Sequence, residues 1–403
     1  MRKSEKPMGV QTIAIHAGEK PDAITGASAP NIVLSTTFLA DPDASFSVEG
    51  MKEDASFVYT RWGNPTVRQL EQKLAALEEA ETCVAFGSGM AAISGLFFHL
   101  LGKGDHLVMS DVAYAAASEL TATLLPRLGI KVTKVDTADV GAVKSAVSSK
   151  TRLVYVETPC NPLLRLTDIG AVSKIAKDAG AKLAVDSTFA TPIATQPLKL
   201  GADYVIHSLS KYLGGHGDAI GGAILGSAND LALLRKNVAI RIGGILSPFN
   251  AWLVMRGMAT LPIRMKAHSE GARHVAEFLE SSPKVTRVIY PGLPSHPGHA
   301  LARRQMKLFS GMLTFQVKDG VSAAKVFARR LRVIHYAVSL GHHRSLIFYL
   351  PTDELLATSF KLNRNQAMSY RAYAGDGIFR FSTGLEDPAD LIDDLGQCLK
   401  KLK

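Results

Sequence analysis

Val205-Ile206-His207-Ser208-Leu209-Ser210-Lys211-Tyr212-Leu213-Gly214-Gly215-His216 reads as an apolar strand that runs into two hydroxyls, a lysine and a Gly-Gly turn. Its strand is the sixth of seven short apolar runs: Thr82–Phe86, His106–Met109, Lys131–Val135, Leu153–Glu157, Lys182–Asp186, Tyr204–His207 and Gly222–Leu225. Helical patterns intervene at Met90–Leu101, Ala115–Leu125, Val140–Val147 and Ile169–Ala179. Alternation of β-rich runs with helices predicts an α/β fold, a mainly parallel sheet covered on both faces. Ligands in such sheets bind beyond the carboxyl ends of the strands, so the residues that follow each run matter most.

Three segments stand at such ends. Ser208 and Ser210 are spaced for a phosphate, and Lys211 beside them is an amine near apolar strand ends, where its pKa falls and it can form an imine. A lone lysine is far more often surface charge. Ala184-Val185-Asp186-Ser187-Thr188 puts a carboxylate at the end of a buried strand. Burial raises the pKa of such an acid unless a cation such as a protonated pyridine nitrogen holds it ionised; an isolated Asp there is more often a cap or turn residue. Phe86-Gly87-Ser88-Gly89-Met90-Ala91-Ala92 is a glycine turn between strand and helix, and amides at a helix N-terminus can hold a phosphate. It is neither a Walker A loop nor a dinucleotide-binding fingerprint, and by itself it reads equally well as a plain turn.

Working outward, the first 60 or so residues carry many breakers and read as an arm lying on something else. Asn64 then suits an N-cap and Pro65 the first helical position, with Val67, Leu70, Leu74 and Leu77 on one helix face. The alternation stops near Gly243–Pro262, where Trp252, Met255, Met258 and Met265 look like core or interface packing. A second β/α unit follows, with strands at Val285–Tyr290, Gly311–Gln316 and Ile378–Ser382 and helices at Ser322–Leu331 and Pro388–Leu402. The expected division is an arm over 1–63, a large domain over 64–260 and a small domain over 261–403.

Composition bounds the partners. The formal charge is +10 over 403 residues, but the basic residues are scattered and no nucleic-acid-binding signature accompanies them. Cys83, Cys160 and Cys398 are odd in number and far apart, which predicts free thiols in a reducing cytoplasm. No run of about 18 apolar residues is present, and the start lacks the apolar core of a signal peptide, so no membrane partner is expected. No metal site is expected either.

In combination and in this order, the three segments resemble the Cys/Met-metabolism family of pyridoxal 5′-phosphate (PLP) enzymes. That family contains cystathionine γ-synthase, cystathionine lyases, methionine γ-lyase and acylhomoserine sulfhydrylases. The likeness runs from Val58-Tyr59-Thr60-Arg61-Trp62-Gly63-Asn64-Pro65-Thr66 to Arg380-Phe381-Ser382-Thr383-Gly384-Leu385-Glu386-Asp387. It implies the aspartate-aminotransferase (type I) fold, with a mainly parallel seven-stranded sheet and a smaller α/β C-terminal domain. It implies PLP as cofactor, a small amino-acid substrate and a homotetramer built from dimers with shared sites. By the same resemblance Lys211 carries the cofactor as a Schiff base and moves protons, and Asp186 pairs with the pyridine nitrogen. Gly89, Met90, Ser208 and Ser210 bind the phosphate, Tyr59 and Arg61 reach the phosphate of a neighbouring subunit, and Tyr114 stacks on the ring and serves as an acid–base group. Thr188 lies against the cofactor. Glu157, Asn161, Val338, Ser339 and Arg380 face the substrate, with Arg380 clamping its carboxylate.

The chain also departs from the family pattern. Tyr114-Ala115-Ala116-Ala117-Ser118 replaces the usual Tyr-Gly-Gly-Thr, and Ala116 stands where methionine γ-lyases commonly carry a reactive cysteine. Val338 occupies a position that is Glu in several cystathionine-handling members, which suits a short neutral substrate tail. His342 and His343 are new polar groups, Arg344 replaces a frequent Glu, and Ile347-Phe348-Tyr349-Leu350-Pro351-Thr352 replaces a His-Pro-Ala-Ser stretch. The expected reaction is γ-elimination from a methionine- or homocysteine-like amino acid, with γ-replacement as the alternative.

Overall fold

A computed structural model describes residues 8–39, 42, 47–50 and 57–402. The seven apolar runs form β1 (Thr82–Phe86), β2 (His106–Ser110), β3 (Lys131–Val135), β4 (Thr151–Glu157), β5 (Lys182–Asp186), β6 (Tyr204–Ser208) and β7 (Gly222–Gly226). They make one sheet in the order β1-β7-β6-β5-β4-β2-β3, in which only β7 runs antiparallel to its neighbours. Successive side chains alternate between two faces, and both faces are buried. Phe86, Met109, Tyr155 and Ile206 pack with helix α3 (Gly89–Leu100), for which the spacing Ile93, Leu96, Phe97 provides an apolar stripe. Helices α1 (Val10–His16) and α2 (Pro65–Glu78) are the earlier ones in the chain, and Ala85, Val205 and Leu225 of the opposite face pack with Leu70 and Leu74 of α2. Further along that face Val108, Val154 and Val185 meet Val143 of α5 (Val140–Ala146) and Ile169 and Val172 of α6 (Ile169–Asp178), while α4 (Ala115–Arg127) follows β2.

Asn64 caps α2 as expected: its side chain accepts from the amides of Thr66 and Val67, and Pro65 opens the helix. Part of the arm is fixed on its own chain. Ala14 of α1 is buried, and the buried Lys73 of α2 donates to the carbonyls of Ala14 and Ile15 at 2.7 and 2.8 Å while pairing with Glu19. Met255, Met258 and Met265 are buried as expected, and Trp252 donates to the Pro30 carbonyl.

The second sheet has five strands: β8 (Val285–Ile289), β9 (Met312–Val317), β10 (His335–Tyr336), β11 (Leu346–Pro351) and β12 (Gly377–Ser382), in the order β10-β11-β12-β9-β8. All pairs but β10–β11 are antiparallel. The apolar stretch noted above as a departure, Ile347 to Pro351, is therefore β11, with Phe348 paired to Arg380 of β12. Helix Leu261–Ser281 presents its apolar stripe to both cores, with Met265 in the first and Ala272, Val275 and Leu279 in the second.

Candidate active site

The parallel strands β2, β4, β5 and β6 end along one edge, and most of the site is built there. β4 and β5 are paired so that Glu157 lies beside Asp186. Asp186 is buried; its Oδ1 accepts from the Thr188 amide at 3.0 Å and the Thr188 hydroxyl at 2.6 Å, and its Oδ2 from the Tyr155 hydroxyl at 3.2 Å. Burial pushes its pKa up, and the bonds from Thr188 oppose this. A cation placed against such a carboxylate restores its ionised form. Thr188 also fixes the next strand, since its hydroxyl accepts from the Ser208 amide at 2.9 Å. Glu157, raised by burial and then by Asp186, accepts from the backbone amides of Tyr114 at 2.7 Å and Asn161 at 2.6 Å. It thus holds two loops that carry other candidate residues.

Lys211 follows β6 in a wide helical turn, Leu209–Leu213, and there leaves helical geometry with φ −103° and ψ −134°. The turn is closed by Gly214 N–H to Leu209 O and Gly215 N–H to Lys211 O, at 3.0 and 2.7 Å. Arg264, buried on helix Leu261–Ser281, braces it by donating to the carbonyls of Tyr212, Leu213 and Gly257. Gly215 is required, because its φ is +77° and a Cβ there would lie 2.2 Å from the Arg264 guanidinium. Burial, reinforced by the Arg380 charge, lowers the pKa of Lys211 and so raises its share of neutral, nucleophilic amine. Its Nζ lies 3.4 Å from the Ser339 hydroxyl.

Arg380 comes in from β12 of the second sheet. Its Nη1 donates to Asn161 Oδ1 at 3.0 Å and its Nη2 to the Ser339 carbonyl at 3.4 Å, so both ends of the guanidinium fork are oriented. Val338, beside Ser339, is apolar and 65% exposed. Tyr114, at the start of α4, is 45% exposed.

The phosphate-type donors gather at the start of α3. Ser88 caps that helix through the Ala91 amide, and the remaining first-turn amides have no intrahelical acceptor. A Cβ on Gly89 would sit 3.2 Å from the Cβ and Oγ of Ser208, so glycine lets the two segments meet. Met90 is half-buried in the same turn. The Ser210 hydroxyl is engaged with the backbone of Gly221. A buried carboxylate, an amine of lowered pKa and a helix N-terminus flanked by hydroxyls are the donor set that PLP requires, and the residues fit it. Tyr59, 43% exposed, and Arg61 stand together on the arm, with the guanidinium 5.6 Å from the Tyr59 ring centre. Arg61 also donates to the Ile240 carbonyl at 2.6 Å.

Three residues were given no role by the sequence reading: Tyr155 behind Asp186, Arg264 under the lysine turn, and Glu386, whose carboxylate accepts from the amide and hydroxyl of Ser345. Tyr155 could have been placed by strand alternation, since it sits two residues before Glu157 on the same face. Arg264 and Glu386 bind backbone groups far away in sequence, which no local pattern reports.

The family model for Cys/Met metabolism PLP-dependent enzymes matches residues 11–400. The chain is 42% identical to an L-methionine γ-lyase of Fusobacterium nucleatum subsp. polymorphum, across 98% of this chain and 99% of that protein. It is 43% identical to a cystathionine γ-synthase of Mycobacterium tuberculosis, across 97% of each. The solved structure of metB from Corynebacterium glutamicum superposes with a TM-score of 0.87 at 40% identity, covering 98% of this chain and 99% of that one.

Proposed function

The chain belongs to the Cys/Met metabolism PLP-dependent enzyme family, and we propose that within it the protein is a carbon–sulfur γ-lyase. Its substrates would be methionine- or homocysteine-like amino acids, and its products 2-oxobutanoate, ammonia and a thiol. That it is a PLP-dependent lyase or synthase of sulfur amino acid metabolism follows from the family. The observation that favours elimination is Val338, an exposed apolar side chain next to the Ser339 carbonyl that orients Arg380. Such a wall accepts a short neutral tail and offers nothing to the distal ammonium group of cystathionine.

PLP, when bound, supplies the electron sink for carbanion chemistry at the substrate. Arg380 binds the substrate carboxylate with its fork held by Asn161 and Ser339. Asp186, kept in place by Thr188 and Tyr155, would hold the positive charge of the ring nitrogen. Lys211, whose neutral form is favoured by burial and by the Arg380 charge, would take the proton from the substrate Cα. Tyr114, whose amide is held by Glu157, would protonate the departing sulfur through its phenol. Gly89, Met90, Ser208 and Ser210 would bind the phosphate, and Glu157 positions Tyr114 and Asn161.

The alternative, γ-replacement, uses the same residues and gains support from Arg344, which suits the carboxylate of a succinylated homoserine. Product analysis separates the two. L-homocysteine or L-methionine alone is expected to give 2-oxobutanoate. Turnover of O-succinylhomoserine with sulfide at a kcat/KM about tenfold or more above that would replace this reading by the alternative.

The exposure of Tyr59 and its pairing with Arg61 on the arm fit a site completed between subunits, in a homotetramer of dimers that light scattering can test. Mixing inactive Arg61→Ala with inactive Lys211→Ala protein is expected to restore activity through hybrids carrying one intact site. No recovery despite demonstrated subunit exchange would show that Arg61 serves its own chain. Among the described residues no helix is long and apolar enough to cross a membrane.

A further inference from the structure

His342 lies in the segment that departs from the family pattern, and the fold brings it to Lys211. Lys211 Nζ is 3.4 Å from Ser339 Oγ, and Ser339 Oγ is 3.1 Å from His342 Nε2. The segment is pinned on two sides. The His343 amide donates to the Gly215 carbonyl of the lysine turn at 2.9 Å, and the Leu385 amide beyond β12 donates to the His343 carbonyl at 2.8 Å. Ser339 itself is held at φ +141°, a conformation that L residues rarely adopt, with its carbonyl on Arg380 and the nearby Gly341 amide on Ser382 Oγ. The imidazole fits only because residue 217 is glycine: a Cβ there would stand 2.6 Å from His342 Cε1.

We propose that His342 positions the Ser339 hydroxyl and exchanges protons with Lys211 through it. This rests on Lys211 being the cofactor-bearing lysine. The step balances without a further reactant. A proton leaves Nζ for Ser339 Oγ as the Ser339 hydroxyl proton passes to His342 Nε2, so the ammonium becomes a neutral amine and the imidazole an imidazolium. The groups facing His342 are Lys211 of the lysine turn, Asp218 of the loop that follows it and His343 on its own segment. Burial, then the charges of Lys211 and His343, lowers the pKa of His342, and Asp218 opposes them. The ring is thus a neutral acceptor at neutral pH and loses that capacity only on acidification.

The test uses holoenzyme with His342→Gln, whose amide can keep the bond to Ser339 but cannot titrate. The absorbance of the cofactor–Lys211 linkage, titrated without substrate, is expected to lose an acid-side inflection that the unsubstituted protein shows. With L-homocysteine, kcat is expected to fall about tenfold, less than the roughly 10²-fold or more lost with a direct proton-transfer group because His342 acts through Ser339, and to lose its acid limb. KM should stay within about twofold. In a Ser339→Ala background the same substitution is expected to add nothing, because the two residues act in series. Unchanged titrations, or independent effects of the two substitutions, overturn the proposal. So does loss of cofactor absorbance in both His342→Gln and His342→Asn, which would make His342 a packing residue of the loop. Failure of the unsubstituted protein to turn over homocysteine would sink the elimination reading, while the substrate-free titration still judges His342.

Discussion

Borohydride treatment of the purified protein is expected to fix PLP covalently on Lys211, and Lys211→Ala is expected to lower turnover by roughly 10⁴-fold, the upper range for an acid–base group. Peptide mapping of the reduced protein and steady-state rates check the two halves. The expectation has a competitor on structural grounds. Lys134 is pushed down to about 8 by burial, so its amine is also nucleophilic near neutrality. Its Nζ, however, already donates to the Phe360 carbonyl at 2.6 Å and to the Ser118 hydroxyl at 2.5 Å. Lys73, fully buried, is likewise committed to two carbonyls and Glu19. Lys211 has one long contact, to a hydroxyl, at the strand edge where Asp186 and Ser208 converge. A label recovered on Lys134 would show that lowered pKa outweighs position and would remove Lys211 from the mechanism. The alanine variant should still bind PLP noncovalently, because Asp186, Thr188 and the α3 N-terminus are untouched.

The large sheet was legible because its strands other than the edge strand β3 are largely buried on both faces, so each of them appears as a short apolar run that a residue such as Asp186 or Ser208 breaks at the functional end. The helix cap at Asn64 was legible because capping is local chemistry. The second sheet was only half visible. β10 is two residues long and does not stand out from a loop, whereas β11 is an apolar run of the same kind as those of the large sheet and could have been placed by the same rule. The site shows the same division. Asp186, Lys211 and Gly89 sit in segments whose residue types state their chemistry. The roles of Arg380 and Asn161 depend on β12 meeting the loop after β4, across 219 residues of chain. His342 could be singled out as unusual, but not assigned, because its partner is reached only through Ser339.

Arg380→Met is expected to raise KM for the amino-acid substrate by about 10²–10³-fold, as loss of a charge-assisted fork to a carboxylate implies. Lysine at the same position should recover little of this. Its ammonium is a point charge that cannot address Asn161 Oδ1, the Ser339 carbonyl and a carboxylate in one plane. A second consequence separates a clamp from a structural role. The Arg380 charge disfavours the ammonium form of Lys211, so removing it raises the pKa of that amine. More of Lys211 is then protonated at a given pH, and the rise of kcat that depends on neutral amine moves to higher pH in Arg380→Met. Arg380→Lys keeps a positive charge in that region, so its pH profile should stay near that of the unsubstituted enzyme even though its KM does not. Measuring kcat and KM against pH for the three proteins checks both effects together. An unchanged KM in Arg380→Met would take the carboxylate away from Arg380. A raised KM with no displacement of the methionine variant's profile would keep the clamp but show that Lys211 is set by burial alone.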